Sequence, residues 1–452
     1  MKVVFKISLV LTFFSYSLFT QAQQDLTLYE LRSVPQASQL NASRTPLSKG
    51  YVLLPALSGF YATLYNEGFN YSDMVTDDGD SLRVDMAKGI SRMKKLNDLG
   101  TDIRTVLLGF GFRTGATYIT FNVEQKISAR FTYPKTLFEF AWYGNADPRF
   151  LDERVSMDGL GFDYMQYTEA SLGWAKDIDE KLSLGVRAKY LNGTANLKTT
   201  DSQLGFTTKS DAYEISVDGS FSYKSAGLAG YILDDSTPEG EKDAVSAATG
   251  NHGAALDVGF TYRIDNRLSV SGAINDVGLI NWSSGVKNGV ADTVNFTYEG
   301  ESVKNWSQTS INGKGIIDAL DTLFKGIEFQ ENSESYSTWL PTKIYIGANY
   351  RVLQKTDLSI LSYNEFYNNR FKSSIRAALT HRIRNWLMAT VNYSFYGRSA
   401  SNVGVGFSIN GGPVQLYAVT DNVVSYLLPT KNKNFHLRFG INLTFANNFS
   451  QN

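Results

Sequence analysis

Along most of the chain, apolar and polar residues take turns. Leu437, Phe439, Ile441, Leu443 and Phe445 share one parity, with Arg438, Gly440, Asn442 and Thr444 between them. Successive side chains of a strand point to opposite faces, so this segment has one oily side and one wet side. The period returns in Val106/Leu108/Phe110/Phe112, in Ile119/Phe121/Val123 and in Thr168/Ala170/Leu172/Trp174. It continues in Leu182/Leu184/Val186/Ala188/Tyr190, Leu256/Val258/Phe260/Tyr262/Ile264 and Leu268/Val270/Gly272/Ile274. After Pro341 it is nearly unbroken to the end of the chain. The separators are short and rich in turn formers: Arg113-Thr114-Gly115, Asp177-Ile178-Asp179-Glu180, Asp265-Asn266-Arg267, Asn368-Asn369-Arg370, Arg382 to Arg384, Gly397-Arg398 and Gly411-Gly412. Such residues suit tight hairpins.

Consecutive hairpins whose strands run about 10 residues predict an all-β fold, a transmembrane antiparallel β-barrel of about 14 strands, between roughly 12 and 16. A secreted β-sandwich also alternates, but its strands are usually about 5–6 residues long. No linker divides this chain, and aromatics crowd the strand ends at Tyr190, Tyr262, Trp386, Phe395, Tyr396 and Phe445, as in an interfacial girdle.

Several segments leave the period. Gln23 to Lys49 is polar, contains Pro35 and Pro46, and reads as an N-terminal arm or plug (23–49) ahead of a barrel over 50–452. Leu82, Met86, Ile90, Met93 and Leu96 fall at helical spacing among Arg83, Lys88, Arg92, Lys94 and Lys95. Over Leu82 to Leu99 this predicts an amphipathic helix at the barrel mouth, or one whose basic face meets acidic lipid headgroups. Phe131 to Gly144 predicts a short helix, as does Ile316 to Phe324. Asn192 to Ser210, Asp234 to Gly250 and Ser302 to Trp339 read as external loops.

Residues 1–22 read as a secretory signal peptide: Lys2 and Lys6, an apolar run from Ile7 to Phe19, then Thr20-Gln21-Ala22. Nothing beyond approaches about 18 consecutive apolar residues, so no helical span is expected. There is no cysteine, which excludes disulfides, thiolate metal sites and a lipid-bearing N-terminal Cys. With 43 Lys+Arg against 44 Asp+Glu, no basic field invites nucleic acid. The place such a chain implies is the cell outer membrane, with outer-membrane lipid as its surroundings.

Candidate chemistry is sparse. None of His252, His381 and His436 has a nucleophile-plus-base partner in its local sequence, so no catalytic residue, metal or cofactor is assigned and an enzyme is not expected. Asp77-Asp78-Gly79-Asp80 lacks the spacing of a calcium loop and reads as a polar turn. Gly109-Phe110-Gly111 and Gly404-Val405-Gly406 sit in alternating strands, where glycine leaves room for a plug or for curvature. If the apolar parity faces lipid, then Glu124, Arg187, Lys189, Arg263, Lys343, Arg351, Lys372, Arg376 and Arg438 face the lumen. A charge on lipid at midplane costs about 2–4 kcal/mol for Arg or Lys, which explains their single parity. They form either a solvated or plug-contacting lumen or a cationic path for an anionic solute.

Leu53-Leu54-Pro55-Ala56-Leu57-Ser58-Gly59, Lys189 to Gly193, Gly278 to Trp282 and the run from Gly404 to Phe445 resemble an uncharacterised family of bacterial outer-membrane barrels, known as a domain of unknown function. That family is distantly similar to the long-chain fatty-acid transporter superfamily. The resemblance implies binding or transport of a hydrophobic or amphipathic small molecule across the outer membrane. Some members of the wider superfamily serve protein secretion, so a non-transporting barrel docking envelope or secretion-system proteins is the alternative. An adhesin or surface scaffold acting through the external loops is a third. Where the transporters carry Asn-Pro-Ala, this chain has Asn41-Ala42-Ser43.

Overall fold

The computed structural model describes residues 25–77, 82–227, 249–298, 324–396 and 399–447. Fourteen antiparallel strands close into a barrel. In chain order they are β1 (Ser48–Leu53, resumed over Phe60–Asn66), β2 (Leu96–Thr114), β3 (Thr117–Pro134), β4 (Gly161–Asp177), β5 (Leu182–Ser202), β6 (Asn251–Arg263) and β7 (Leu268–Trp282). Then come β8 (Tyr336–Trp339, resumed over Thr342–Leu353), β9 (Thr356–Tyr367), β10 (Arg370–Arg384), β11 (Leu387–Tyr396), β12 (Ser399–Gly411), β13 (Val414–Thr420) and β14 (Asn434–Asn447). Both halves of β1 pair with β2 on one side and β14 on the other, which closes the cylinder.

The surface is inside out relative to a water-soluble protein. In β5, Leu184, Val186 and Tyr190 are exposed while Ser183, Arg187 and Lys189 are buried. β14 repeats this, with Phe439, Ile441 and Phe445 exposed and His436, Arg438 and Asn442 buried. The alternation therefore turns its oily side to a bilayer and its polar side to a filled lumen.

β1 is interrupted at Pro55, which has no N–H for the ladder, and at Ala56, whose φ is +58°. The loop bows outward but stays bonded to both neighbours: the Ala56 N–H donates to the Val106 carbonyl, and the Ile441 N–H to the Leu57 carbonyl, each at 2.9 Å.

Most connections at one end of the barrel are tight turns, including Asp177–Leu182 and Arg263–Leu268. The other end carries the long ones. There β5 runs on past the wall and pairs with Ile215–Ala226, which pairs in turn with Asn288–Tyr298. The expected external loop over Asn192 to Ser210 is therefore mostly strand, since these neighbours satisfy its backbone. Among the described residues, four short helices also lie at this end: α1 (Tyr71–Met74), α2 (Met86–Arg92), α3 (Lys135–Tyr143) and α4 (Val424–Leu427). The helix expected over Leu82 to Leu99 is confined to α2. Leu96 to Leu99 instead extends β2, because pairing of Leu96 with Pro134 and of Leu99 with Phe131 outweighs the helical spacing. Phe131 likewise belongs to β3, and α3 starts after Pro134. Residues 1–22, Gly397-Arg398, Asp78 to Asp80, Asp234 to Ala248 and nearly all of Ile316 to Phe324 lie outside the described residues.

Candidate functional site

The lumen is occupied by the chain's own N-terminal arm, residues 25–47. Two 3-10 turns, Leu28–Glu30 and Pro35–Gln39, give it a compact path. Leu26, Leu28, Leu31 and Val34 are fully buried, packed on Tyr345, Leu361, Tyr363, Met388, Tyr417 and Val419 of the inner wall. Polar bonds fix its register along the barrel. The Leu26 and Thr27 N–H groups donate to the Asp421 carboxylate at 3.1 and 2.7 Å. Asp25 takes an ion pair from Arg438 at 2.6 Å and one from Arg104 at 3.3 Å. Glu30 pairs with Arg376 at 2.6 Å.

Wall glycines make room for the arm. Gly185 and Gly259 face each other across β5 and β6. A Cβ on Gly185 would come within 2.2 Å of the Ala42 backbone, and one on Gly259 within 2.2 Å of Asn41 Oδ1. The Asn41-Ala42-Ser43 turn lies in that gap. Asn41 Nδ2 donates to the Gly272 carbonyl at 3.2 Å, and its Oδ1 accepts from the Ser43 N–H at 3.0 Å. Gly404 similarly abuts Thr27, at 2.5 Å from a would-be Cβ.

Beside the arm, charged side chains lock together at mid-barrel. Lys189 Nζ meets Asp257 at 2.8 Å, Asp276, and Glu169 at 3.7 Å. Lys343 joins Asp276 at 2.7 Å, and Lys126 joins Glu169 at 2.6 Å. Arg187 bonds Asp257 at 3.2 Å and the Ser38 carbonyl at 3.0 Å. Glu124 accepts from Gln39, which also accepts from Arg438. The void left among these groups is about 30 Å³. Burial makes such pairs weak contributors to stability, but removing one partner leaves an uncompensated charge, so they hold position strongly.

The nine candidate lumen residues fall into three sets. Glu124, Arg187, Lys189, Lys343, Arg376 and Arg438 contact the arm or the mid-barrel network. Arg263 and Arg351 line a basin of about 670 Å³ at the short-turn end, together with Arg32 and Arg44 of the arm. Lys372 lies toward the long-loop end, 3.8 Å from Glu67. Of the carboxylate partners, Glu169 and Asp257 sit on the polar parity of β4 and β6, where the alternation marks them, and Asp276 does not. Asp276 owes its inward aim to a bulge, where Asn275-Asp276 oppose Asp257 alone and Asp276 takes φ +62°. The only trace in the sequence is a phase slip, the apolar set jumping from Ile274 to Val277.

A second cavity, about 1010 Å³, opens at the long-loop end. Phe162, Trp339, Phe366, Tyr367 and Phe371 supply rings to its lining, and Arg130, Lys198 and Arg370 supply cations. Trp339, Phe366 and Phe371 are outward-facing wall residues, so the groove runs from the lipid-facing rim into the mouth. The β9–β10 tip reaches across that mouth: Tyr367 and Asn368 donate to Asp163 of β4, at 2.9 and 2.5 Å. Lys198 bonds Asn368 at 2.6 Å, and Arg370 bonds Asp98 at 2.7 Å. Asn368 and Asn369 both take positive φ, as a tight hairpin requires. The sequence marked Asn368-Asn369-Arg370 only as a turn, because nothing local reveals what lies across the barrel.

The three histidines stand apart. His252 stacks on Tyr190 at the wall, His381 bonds Thr356, and His436 lies buried between Asp25 and Asp421. Among the described residues no group of His, Cys, Asp and Glu could hold a metal ion.

The family model described as "Family of unknown function (DUF5723)" matches residues 44–421. No curated protein matches the sequence. Similar solved structures include the Ralstonia pickettii toluene transporter TbuX, at 8% identity and TM-score 0.43 over 91% of this chain and 94% of that one. The Pseudomonas putida toluene transporter TodX follows at 8% and 0.39, over 94% and 93%. A Pseudomonas aeruginosa FadL homologue has 9% and 0.40, over 95% of each chain.

Proposed function

The chain belongs to the family of unknown function DUF5723, and we propose that it is an outer-membrane barrel that binds a hydrophobic or amphipathic small molecule at its outer mouth and passes it inward. The observation that carries this reading is the outer groove. Aromatic rings at its lipid-side rim offer an apolar surface, and Arg130, Lys198 and Arg370 in the same lining offer cations for a polar or anionic end. Few convergent cations within an apolar concavity are what an amphipathic ligand needs. The arm and the charged network stand between this groove and the lower basin, so passage requires the arm to shift. The candidate cations that meet the arm or the network, Arg187, Lys189, Lys343, Arg376 and Arg438, thereby serve as a gate, each met by a carboxylate or a carbonyl, and not as an open cationic path.

Trp339 reports on the groove directly. Titrating the purified protein with a short alkyl carboxylate should shift tryptophan emission saturably, and Trp339→Phe should abolish the shift. Arg130→Gln with Arg370→Gln should weaken binding about tenfold, the scale of one or two charge-assisted hydrogen bonds. No saturable response from any alkyl or aromatic probe, with envelope proteins co-purifying instead, would favour the docking role.

A further inference from the structure

The β13–β14 connection folds against the outside of the barrel. Tyr426 of α4 packs on Phe435, ring centroids 4.8 Å apart, and Phe435 is an outward residue of β14, the neighbour of buried His436. The next residues, Leu427 and Leu428, are 74% and 46% exposed, and Leu64 of β1, which pairs with Phe435, is 53% exposed. An apolar ledge on the lipid face of the rim results.

Cations gather next to it. Lys433 Nζ donates to the Glu67 and Gly68 carbonyls, both at 3.2 Å, and Lys94 Nζ lies 3.1 Å from the Glu67 carboxylate. Arg92 of α2 pairs with Asp73, and Asn70 links Asp73 to the Lys431 carbonyl. The two carboxylates are tucked in, with side chains 10% and 7% exposed, while Lys94 and Arg92 are 46% and 57% exposed. Arg92, Lys94 and Lys431 are thus exposed and Lys433 is half-buried, four cations against two shielded anions. Burial pushes the Lys433 amine below its ordinary value, and the Lys94 and Arg92 charges push the same way, against Asp73 and Glu67. A further anion would relieve that crowding.

Apolar side chains at acyl depth beneath a cluster of cations complement a phosphorylated lipid. Resting on the outer-membrane reading, we infer that this ledge holds the phosphorylated headgroup of an outer-leaflet glycolipid, lipid A, with acyl chains on Leu64, Leu427 and Leu428. The site is distinct from the groove and does not depend on any transported solute.

The test uses the full processed chain in detergent, with bisphosphorylated lipid A, its dephosphorylated form and inorganic phosphate as probes, read by native mass spectrometry. The parent protein should retain bisphosphorylated lipid A in preference to the dephosphorylated form. Replacing Arg92, Lys94, Lys431 and Lys433 together by Gln should reduce retention at least about tenfold, and Lys209→Gln should not. Leu427→Ser with Leu428→Ser should also reduce it. Equal retention of both lipid forms by the parent protein overturns the inference without any variant, and so does inorganic phosphate binding as tightly as the lipid. Groove binding by the parent is measured separately with the alkyl carboxylate. Its loss would count against the transport reading alone, and loss of lipid selectivity against this one alone.

Discussion

At the scale of single residues, absent side chains matter as much as present ones. Gly185 and Gly259 leave a slot in the wall that only a chain passing close by explains, and the Asn41-Ala42-Ser43 turn fills it. Valine suits a strand, so Gly259→Val should leave the barrel wall intact while its side chain meets Asn41. The arm should then detach: susceptibility of residues 25–47 to protease added from the short-turn side, and ion conductance in planar bilayers, should both rise severalfold. Unchanged protection and conductance would show that the arm is not seated as described. The sequence marked strand glycines as room for a plug or for curvature, at Gly404 and Gly406 among others, yet it could not say which arm residue meets which glycine. The charged network was half legible for the same reason. Lys189 and Arg187 showed themselves by parity, whereas Asp276 was hidden because a bulge, not the period, turns it inward.

At the scale of elements, the hairpins were the readable part, because a period of two sustained over a long strand admits little else. Two short-turn connections share one construction, Ile178-Asp179-Glu180-Lys181-Leu182 and Ile264-Asp265-Asn266-Arg267-Leu268. Asp179 accepts from the Lys181 and Leu182 N–H groups, and Asp265 from those of Arg267 and Leu268, at 2.6–2.8 Å. These backbone bonds hold both carboxyls below the usual aspartate range. Their contribution is therefore complete above the unfolded value of about 3.9 and fades as pH falls through the lower folded one. Asp265→Ala should speed unfolding of the purified barrel in denaturant near neutral pH, followed by loss of its compact gel mobility, and the gap from the parent should close in strong acid. A gap that persists there would assign the loss to backbone propensity. Helices were less legible: the spacing over Leu82 to Leu99 is real, but β3 offers Leu96 to Leu99 ladder bonds that a helix at the mouth could not match.

At the scale of the molecule, two basins lie along one cylinder, and what separates them is the arm and the ion pairs it completes. Wall side chains contribute to that barrier through the Lys189, Lys343 and Lys126 ion pairs, and the arm closes the rest, so flux depends first on whether residues 25–47 can leave their seat. The absence of cysteine makes this directly testable. Ser43 Oγ of the arm and Thr261 Oγ1 of β6 are 2.9 Å apart, close enough for a disulfide in their place. Ser43→Cys with Thr261→Cys, oxidised, should tether the arm to the wall and abolish uptake of the groove ligand into proteoliposomes, while leaving the Trp339 response intact. Reduction should restore uptake within the same preparation, which excludes misfolding as the cause. Should the oxidised barrel transport as fast as the reduced one, solute must move past a seated arm and the gate lies elsewhere. Should neither form transport although both bind, the groove is a receptor and the plugged cylinder its stand. The parent protein with the seat untouched is the reference for both outcomes, because its lumen leaves only about 30 Å³ among the interlocked charges. That space is room for about one water molecule and too little for any amphiphile.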